Sequence, residues 1–66
     1  MAARTDMGRQ LAKHRKLRGM SQAELARMSG VAREDICRYE AGQKDPSLRN
    51  TLKIAKALGV TLDALV

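Results

Sequence analysis

Apolar residues recur every three or four positions along the chain, which is the spacing of one face of an α-helix. The first segment places Met7, Leu11 and His14 on one face and continues to Leu17 or Arg18. No stretch alternates apolar and polar residues for long enough to predict a β-strand. The pattern therefore predicts an all-α chain with five helices, over about residues 6–18, 22–29, 33–41, 47–58 and 61–65.

The same spacing predicts which side chains form the core. Ile36 and Tyr39 are expected to face inward from the third helix, and His14 is expected to be a packing residue because it has no partner set for catalysis or metal binding. Three methionines, at 7, 20 and 28, are interpreted as core fillers. The last two helices present Leu48, Leu52, Ala55, Leu58, Leu62 and Leu65 at helical spacing.

Polar and glycine residues mark the helix ends. Ser21 and Glu24 form the pattern of a capping box, which starts a helix by satisfying backbone amides reciprocally. Four of the five glycines lie where a left-handed residue would end a helix, and only Gly8 falls near a helix start. About three residues around Gly30 join the second and third helices. Such a short turn forces a large crossing angle, as in a helix-turn-helix unit.

Length and composition exclude several classes of protein. The 66 residues allow one domain, taken as residues 1–66, and leave little room for a deep catalytic cavity. The single cysteine can form no internal disulfide and no paired zinc site, so neither a metal nor a cofactor is expected. No apolar run is long enough to cross a membrane, and no secretory signal opens the chain. We expect a cytoplasmic, nucleoid-associated protein.

Charge is unevenly distributed along the chain. Thirteen Lys and Arg outnumber seven Asp and Glu, for a net charge of +6, and residues 1–18 hold six basic groups against one acid. The excess is typical either of a solvated helical surface or of a segment that faces a polyanion.

An ordered set of motifs then resembles a known family. Ala26 is small where two helices would cross, and Gly30 can take the positive φ of the turn. These positions, with their spacing over residues 7–65, resemble the phage Cro/cI repressor-type helix-turn-helix domains, also called XRE-like. The matching residues are Gly8, Arg15, SQAELA (21–26), Gly30-Val31, Ile36, RYEAG (38–42), Pro46-Ser47-Leu48 and IAKALGVTLDAL (54–65).

The resemblance implies a fold and a way of working. It implies a compact five-helix bundle of the lambda repressor-like type, with the third helix in the major groove of double-stranded DNA. Members of the family usually bind as homodimers on inverted repeats. Leu62, Leu65 and Val66 at the end of the fifth helix are the expected dimer seam.

Candidate DNA-binding residues follow position by position. Carried over from the family, Gln22 is expected to contact a phosphate and to brace the third helix. Spacing alone places Arg33, Glu34, Cys37 and Arg38 together on the outward face of that helix. The two arginines suit guanine and Glu34 suits the cytosine amino group. Gln43 and Lys44 are the phosphate candidates in the loop that follows.

Some of these positions have a second interpretation. In the second interpretation, Glu34 and Asp35 make no contact with DNA and only complement the positive end of the helix dipole, which stabilises the helix by about 0.3–1 kcal/mol. Cys37 is either a small filler or an oxidation-sensitive group beside the base-reading positions. Ala32 departs from the family, whose Ser or Thr at this place caps the helix. Arg15 and Glu40 match a family pair that joins the first and third helices, and we expect a partly buried ion pair.

The size and charge of the chain fit three classes of function to different degrees. The leading interpretation is a sequence-specific transcriptional regulator, with a repressor favoured, in which Lys and Arg supply salt-dependent affinity. The alternative is a DNA-binding antitoxin or another protein-interaction module with a toxin as partner, or the N-terminal fragment of a longer regulator. The chain ends with the predicted fifth helix, which favours a simple DNA-binding protein over an antitoxin. An enzyme is disfavoured because no nucleophile–base pair has a recognisable spacing.

Overall fold

A computed structural model describes the backbone of residues 3–65 and the side chains of residues 7–65. The prediction of an all-helical fold is confirmed, but the prediction of five helices is wrong. The described part of the chain has four α-helices and one short 3₁₀ turn. The helices are α1 (Ala3–Leu17), α2 (Gln22–Ser29), α3 (Arg33–Glu40) and α4 (Leu48–Leu58), followed by the 3₁₀ turn Leu62–Ala64.

The expected fifth helix is replaced by this three-residue turn. Its backbone bonds join residues three apart, from the Ala64 amide to the Thr61 carbonyl and from the Leu65 amide to the Leu62 carbonyl. Thr61 makes no side-chain cap that would favour a longer helix. The first turn of an α-helix is unfavourable in free energy, and a short segment adds too few further hydrogen bonds to offset it. The turn instead carries Leu65 into the core, where it is 1% exposed.

The predicted helix ends at Ser21 and Gly30 are confirmed. The Ser21 hydroxyl accepts from the Glu24 amide at 3.0 Å, and the Glu24 carboxylate accepts from the Ser21 amide at 2.9 Å. Gly30 ends α2 with φ of 78°, a left-handed conformation that favours glycine. The chain therefore turns sharply between α2 and α3.

The core lies where all four helices and the 3₁₀ turn meet. Its largest fully buried side chains are Leu11, Leu25, Ile36, Ile54, Leu58 and Leu65. Ile36 and Tyr39 face inward from α3 as predicted. The prediction that Met28 is a core residue is wrong, since Met28 is 61% exposed, whereas Met20 is partly buried against the core.

The buried face of α4 differs in part from the predicted one, since Ala55 and Leu58 are buried as expected. Leu48 and Leu52 are largely exposed, and the buried stripe runs through Thr51, Ile54 and Leu58. Thr51 can be buried because its hydroxyl donates a hydrogen bond of 2.8 Å to the Ser47 carbonyl. Two apolar stripes overlap on this helix, and packing against α2 selects the one that contains a threonine.

Helix α1 crosses α3 at very short range. It begins before residue 6, so Gly8 lies inside the helix rather than near its start. A Cβ atom added at Gly8 would lie only 2.2 Å from the Tyr39 carbonyl oxygen. The absence of a side chain at Gly8 is therefore what allows the two helices to approach. Among the helices of the described chain, none is both long and apolar enough to cross a membrane.

Candidate nucleic-acid interface

The outward face of α3 is a row of exposed polar side chains. Arg33, Glu34, Cys37 and Arg38 are all exposed, as their spacing predicts. Together with Gln43, they line a shallow concavity of about 380 Å³. Five of the seven candidate residues therefore come together on one surface.

The opposite side of α3 is fixed in the core. Ile36 is 0% exposed and Tyr39 is 2% exposed. The Tyr39 hydroxyl accepts a hydrogen bond of 2.9 Å from the Asn50 side-chain amide of α4. The buried ring thus has its polar group satisfied, and its hydroxyl links α3 to α4.

The start of α3 has no side-chain cap, as the sequence predicts. Ala32 occupies the N-cap position and caps the helix only through its backbone carbonyl, which accepts from the amides of Asp35 and Ile36. At the preceding turn, the Ser29 hydroxyl accepts from the buried Val31 amide at 3.2 Å. The turn is therefore stabilised from the α2 side.

An ion pair joins α1 to the end of α3. Arg15 Nε lies 2.6 Å from Glu40 Oε2, and Arg15 Nη2 lies 3.0 Å from Glu40 Oε1. Each side chain keeps only about a tenth of its surface exposed, at 11% and 10%. The expected partly buried pair is confirmed. Its hydrogen bond, with the nearby negative charge, raises the pKa of the Arg15 guanidinium although burial opposes the shift.

Two further bonds extend this pair into a network of three helices. Arg15 Nη1 donates to the Met20 carbonyl at 2.7 Å, and the Gln22 side-chain amide donates to Glu40 at 3.0 Å. Gln22 thus braces α3 from α2. Its phosphate contact stays a prediction. The partner of Gln22 was not predicted, because 18 positions separate it from Glu40.

The basic residues near the N-terminus do not all lie on one surface. Arg15 is committed to the ion pair with Glu40. The Arg18 guanidinium lies over the end of α4, where a Cβ atom added at Gly59 would be 3.1 Å from Nη2. A cation at this place complements the negative end of the helix. Arg9 and Lys13, with Lys16, stay exposed along α1.

Lys44 lies beside Asp35 rather than alone in the loop. Its Nζ is 3.3 Å from Asp35 Oδ1, and the same oxygen is 3.9 Å from Arg38 Nη1. The spacing of three residues within one helix indicates the Arg38 contact. The Lys44 contact depends on how the loop after α3 folds back, which no local pattern reports.

The family model HTH_3, described as helix-turn-helix, matches residues 11–65. The chain belongs to this family. The resemblance to Cro/cI-type domains is therefore confirmed at the level of the family.

Two relatives of this HTH_3 chain are named as transcriptional regulators. An uncharacterized HTH-type transcriptional regulator of Methanocaldococcus jannaschii is 40% identical over 57 residues, 86% of each chain. The cryptic phage CTXphi transcriptional repressor RstR of Vibrio cholerae is 36% identical over 55 residues, which span 83% of this chain and 49% of the repressor. The chain is thus a transcriptional regulator with a helix-turn-helix DNA-binding domain, and no catalytic family is indicated.

A solved structure matches the whole fold. The restriction-modification controller protein C.AhdI from Aeromonas hydrophila superposes with a TM-score of 0.94 at 36% identity, covering 100% of both chains. The matches described here give no support to a toxin as partner.

Proposed function

We propose that this HTH_3 chain recognises a specific double-stranded DNA sequence by placing α3 in the major groove, and that it represses transcription as a homodimer on an inverted repeat. The observation that carries the proposal is the division of α3 into two sides. Its exposed side presents hydrogen-bonding groups in one row, while Ile36 and Tyr39 anchor the other side in the core. An α-helix fits the major groove, where base pairs present distinct patterns of donors and acceptors.

Each exposed group has a chemical role in this proposal. Arg33 and Arg38 donate to the O6 and N7 atoms of guanine, and Glu34 accepts from the amino group of cytosine. Cys37 is small enough to let the helix approach the bases. The phosphate contacts come from the periphery, through Gln22, Gln43 and Lys44, and fix the register of the protein on the duplex.

The dimer surface is proposed on a different face from the one predicted by sequence. Of the expected seam, Leu65 is 1% exposed within its own core, Leu62 is half-buried, and Val66 lies outside the described residues. Leu48 and Leu52 are adjacent on one face of α4 and are 66% and 50% exposed. Exposed apolar groups at helical spacing favour contact with a second copy. Leu52→Glu should yield a monomer in sedimentation equilibrium, whereas Leu17→Glu, at another exposed leucine, should not.

Selection from a randomised duplex library tests sequence reading. The purified protein would be used at about 0.15 M salt, the physiological range. We expect enrichment of an inverted repeat with half-sites about one helical turn apart. Arg38→Ala should relax the preference at one position, whereas Lys44→Ala should weaken binding to all sequences alike. Flat enrichment, with affinity that only fades as salt rises, would refute the proposal.

A narrower target is favoured by the match to C.AhdI. That controller protein aligns with this chain over its full length, so we propose control of restriction-modification genes as a second, more specific function. A reporter joined to the promoters that adjoin this gene tests it. Repression that requires Arg38 at the promoter of a methyltransferase or endonuclease gene would support the narrower target, and repression only at unrelated genes would refute it.

A further inference from the structure

Asp35 lies between the proposed base-reading surface and a proposed phosphate contact. It belongs to the first turn of α3, and its side chain is only 27% exposed. One oxygen of its carboxylate is 3.3 Å from Lys44 Nζ and 3.9 Å from Arg38 Nη1. The carboxylate therefore contacts one residue of each kind.

We propose that Asp35 is a positioning residue that raises the selectivity of DNA binding, a role that rests on the proposed function above. In the free protein it pairs with Lys44, so a DNA phosphate must displace a carboxylate before Lys44 can bind it. Its contact with Arg38, one turn along the same helix, restricts the directions in which that guanidinium can point.

The two contacts affect random and specific DNA differently. Random DNA offers phosphates alone, so the competition from Asp35 lowers its affinity without compensation. The specific site also offers a base to Arg38, whose restricted side chain loses less freedom on binding. Ion pairs at this degree of exposure are weak, so the expected effect on affinity is about two- to fivefold.

Glu34 provides a contrast within the same helical turn. It is exposed, and no ion pair of its side chain occurs within residues 7–65. Both acids lie near the positive end of α3, so an effect of the helix dipole would be shared by the two. An effect through Lys44 belongs to Asp35 alone.

The experiment compares two duplexes and two charge-matched variants. The duplexes are the sequence enriched by selection and a scrambled version of it, with affinity measured by fluorescence anisotropy at several salt concentrations. Asp35→Asn removes the carboxylate, and Asp63→Asn removes an exposed carboxylate from the 3₁₀ turn with the same change in net charge. Asp35→Glu tests whether a carboxylate on a longer side chain restores the contact.

Asp35→Asn should bind the scrambled duplex about two- to fivefold more tightly than the wild type. Its salt dependence should steepen by at most one phosphate contact, a change of up to about 0.9 in the slope of log K against log salt. Affinity for the selected duplex should stay level or fall, so selectivity drops by at least about twofold, and Asp35→Glu should restore it.

Lys44→Gln separates a positioning role from a merely structural one. In that background Asp35→Asn should no longer raise affinity for the scrambled duplex, since the competition acts through Lys44. A rise that persists there, or an equal rise in Asp63→Asn, would overturn the inference while leaving DNA reading intact. A wild type that does not distinguish the two duplexes would overturn both the inference and the proposed function.

Discussion

Gly8→Ala should destabilise the protein although alanine is the better helix former. The added Cβ atom would lie 2.2 Å from the Tyr39 carbonyl oxygen and 3.3 Å from the Tyr39 carbonyl carbon. Ordinary contacts between carbon and a carbonyl oxygen are about 3.3–3.6 Å. The obstacle is backbone and not the end of a flexible side chain, so α1 must move away from α3 by about 1 Å.

The size of the effect follows from what the displaced interface loses. A gap of about 1 Å removes up to roughly half of the dispersion attraction across it. Leu11 on α1 and Tyr39 on α3 are buried, and each such side chain contributes about 1.5–3 kcal/mol. Against this loss, alanine gains about 1 kcal/mol in helix propensity. We expect a net loss of about 1 kcal/mol, at the lower end of the range typical of overpacking.

Chemical and thermal unfolding followed by far-UV circular dichroism tests this expectation. For a domain of this size, 1 kcal/mol corresponds to a fall in Tm of about 4–8 °C. Lys13→Ala is the control, because Lys13 is exposed on the same helix and its replacement should change stability by less than about 0.5 kcal/mol. A stability of Gly8→Ala equal to or above that of the wild type would refute the reasoning, because the close approach of α1 to α3 would then contribute nothing to the free energy of unfolding.

Two further predictions concern the ion pair and the capping box. Glu40→Ala should lower the free energy of unfolding by about 2–3 kcal/mol, because it leaves the nearly buried Arg15 and Gln22 without their partner, and Glu40→Gln should cost less. An unchanged Tm in Glu40→Ala would reduce the pair to a surface contact. The Ser21 amide lowers the pKa of Glu24, so this carboxylate stabilises the fold above its unfolded pKa of about 4.3, and that stabilisation is lost as the pH falls through the lower folded pKa. Urea unfolding between pH 7 and pH 3 should show that the wild type loses more stability on acidification than Glu24→Gln does.

Much of the candidate site follows from sequence because its signals are local. Arg33, Glu34, Cys37 and Arg38 share a face because helical periodicity fixes their directions once α3 exists. The turn before α3 follows from Gly30, whose positive φ the sequence predicts. The pairing of Asp35 with Lys44 does not follow, since it depends on a loop conformation with no periodic pattern.

The choice of buried face shows the limit of periodicity. On α4, apolar residues occur on two overlapping stripes, and the sequence alone favoured the more apolar one through Leu48 and Leu52. Packing selected the stripe through Thr51 and Ile54. The buried face of a helix is the one that packs against a neighbouring helix. A threonine can lie on that face when its hydroxyl donates a hydrogen bond to a carbonyl oxygen.

The sequence by itself determined the helical class, the helix ends at Ser21 and Gly30, and the row of polar groups on α3. These features depend on backbone propensities, caps and periodicity, which act over a few neighbouring residues. Only the tertiary structure decided that Gly8 permits a close crossing and that Leu65 belongs to the core rather than to a dimer seam. Those outcomes depend on contacts between segments distant in sequence, where shape and space decide.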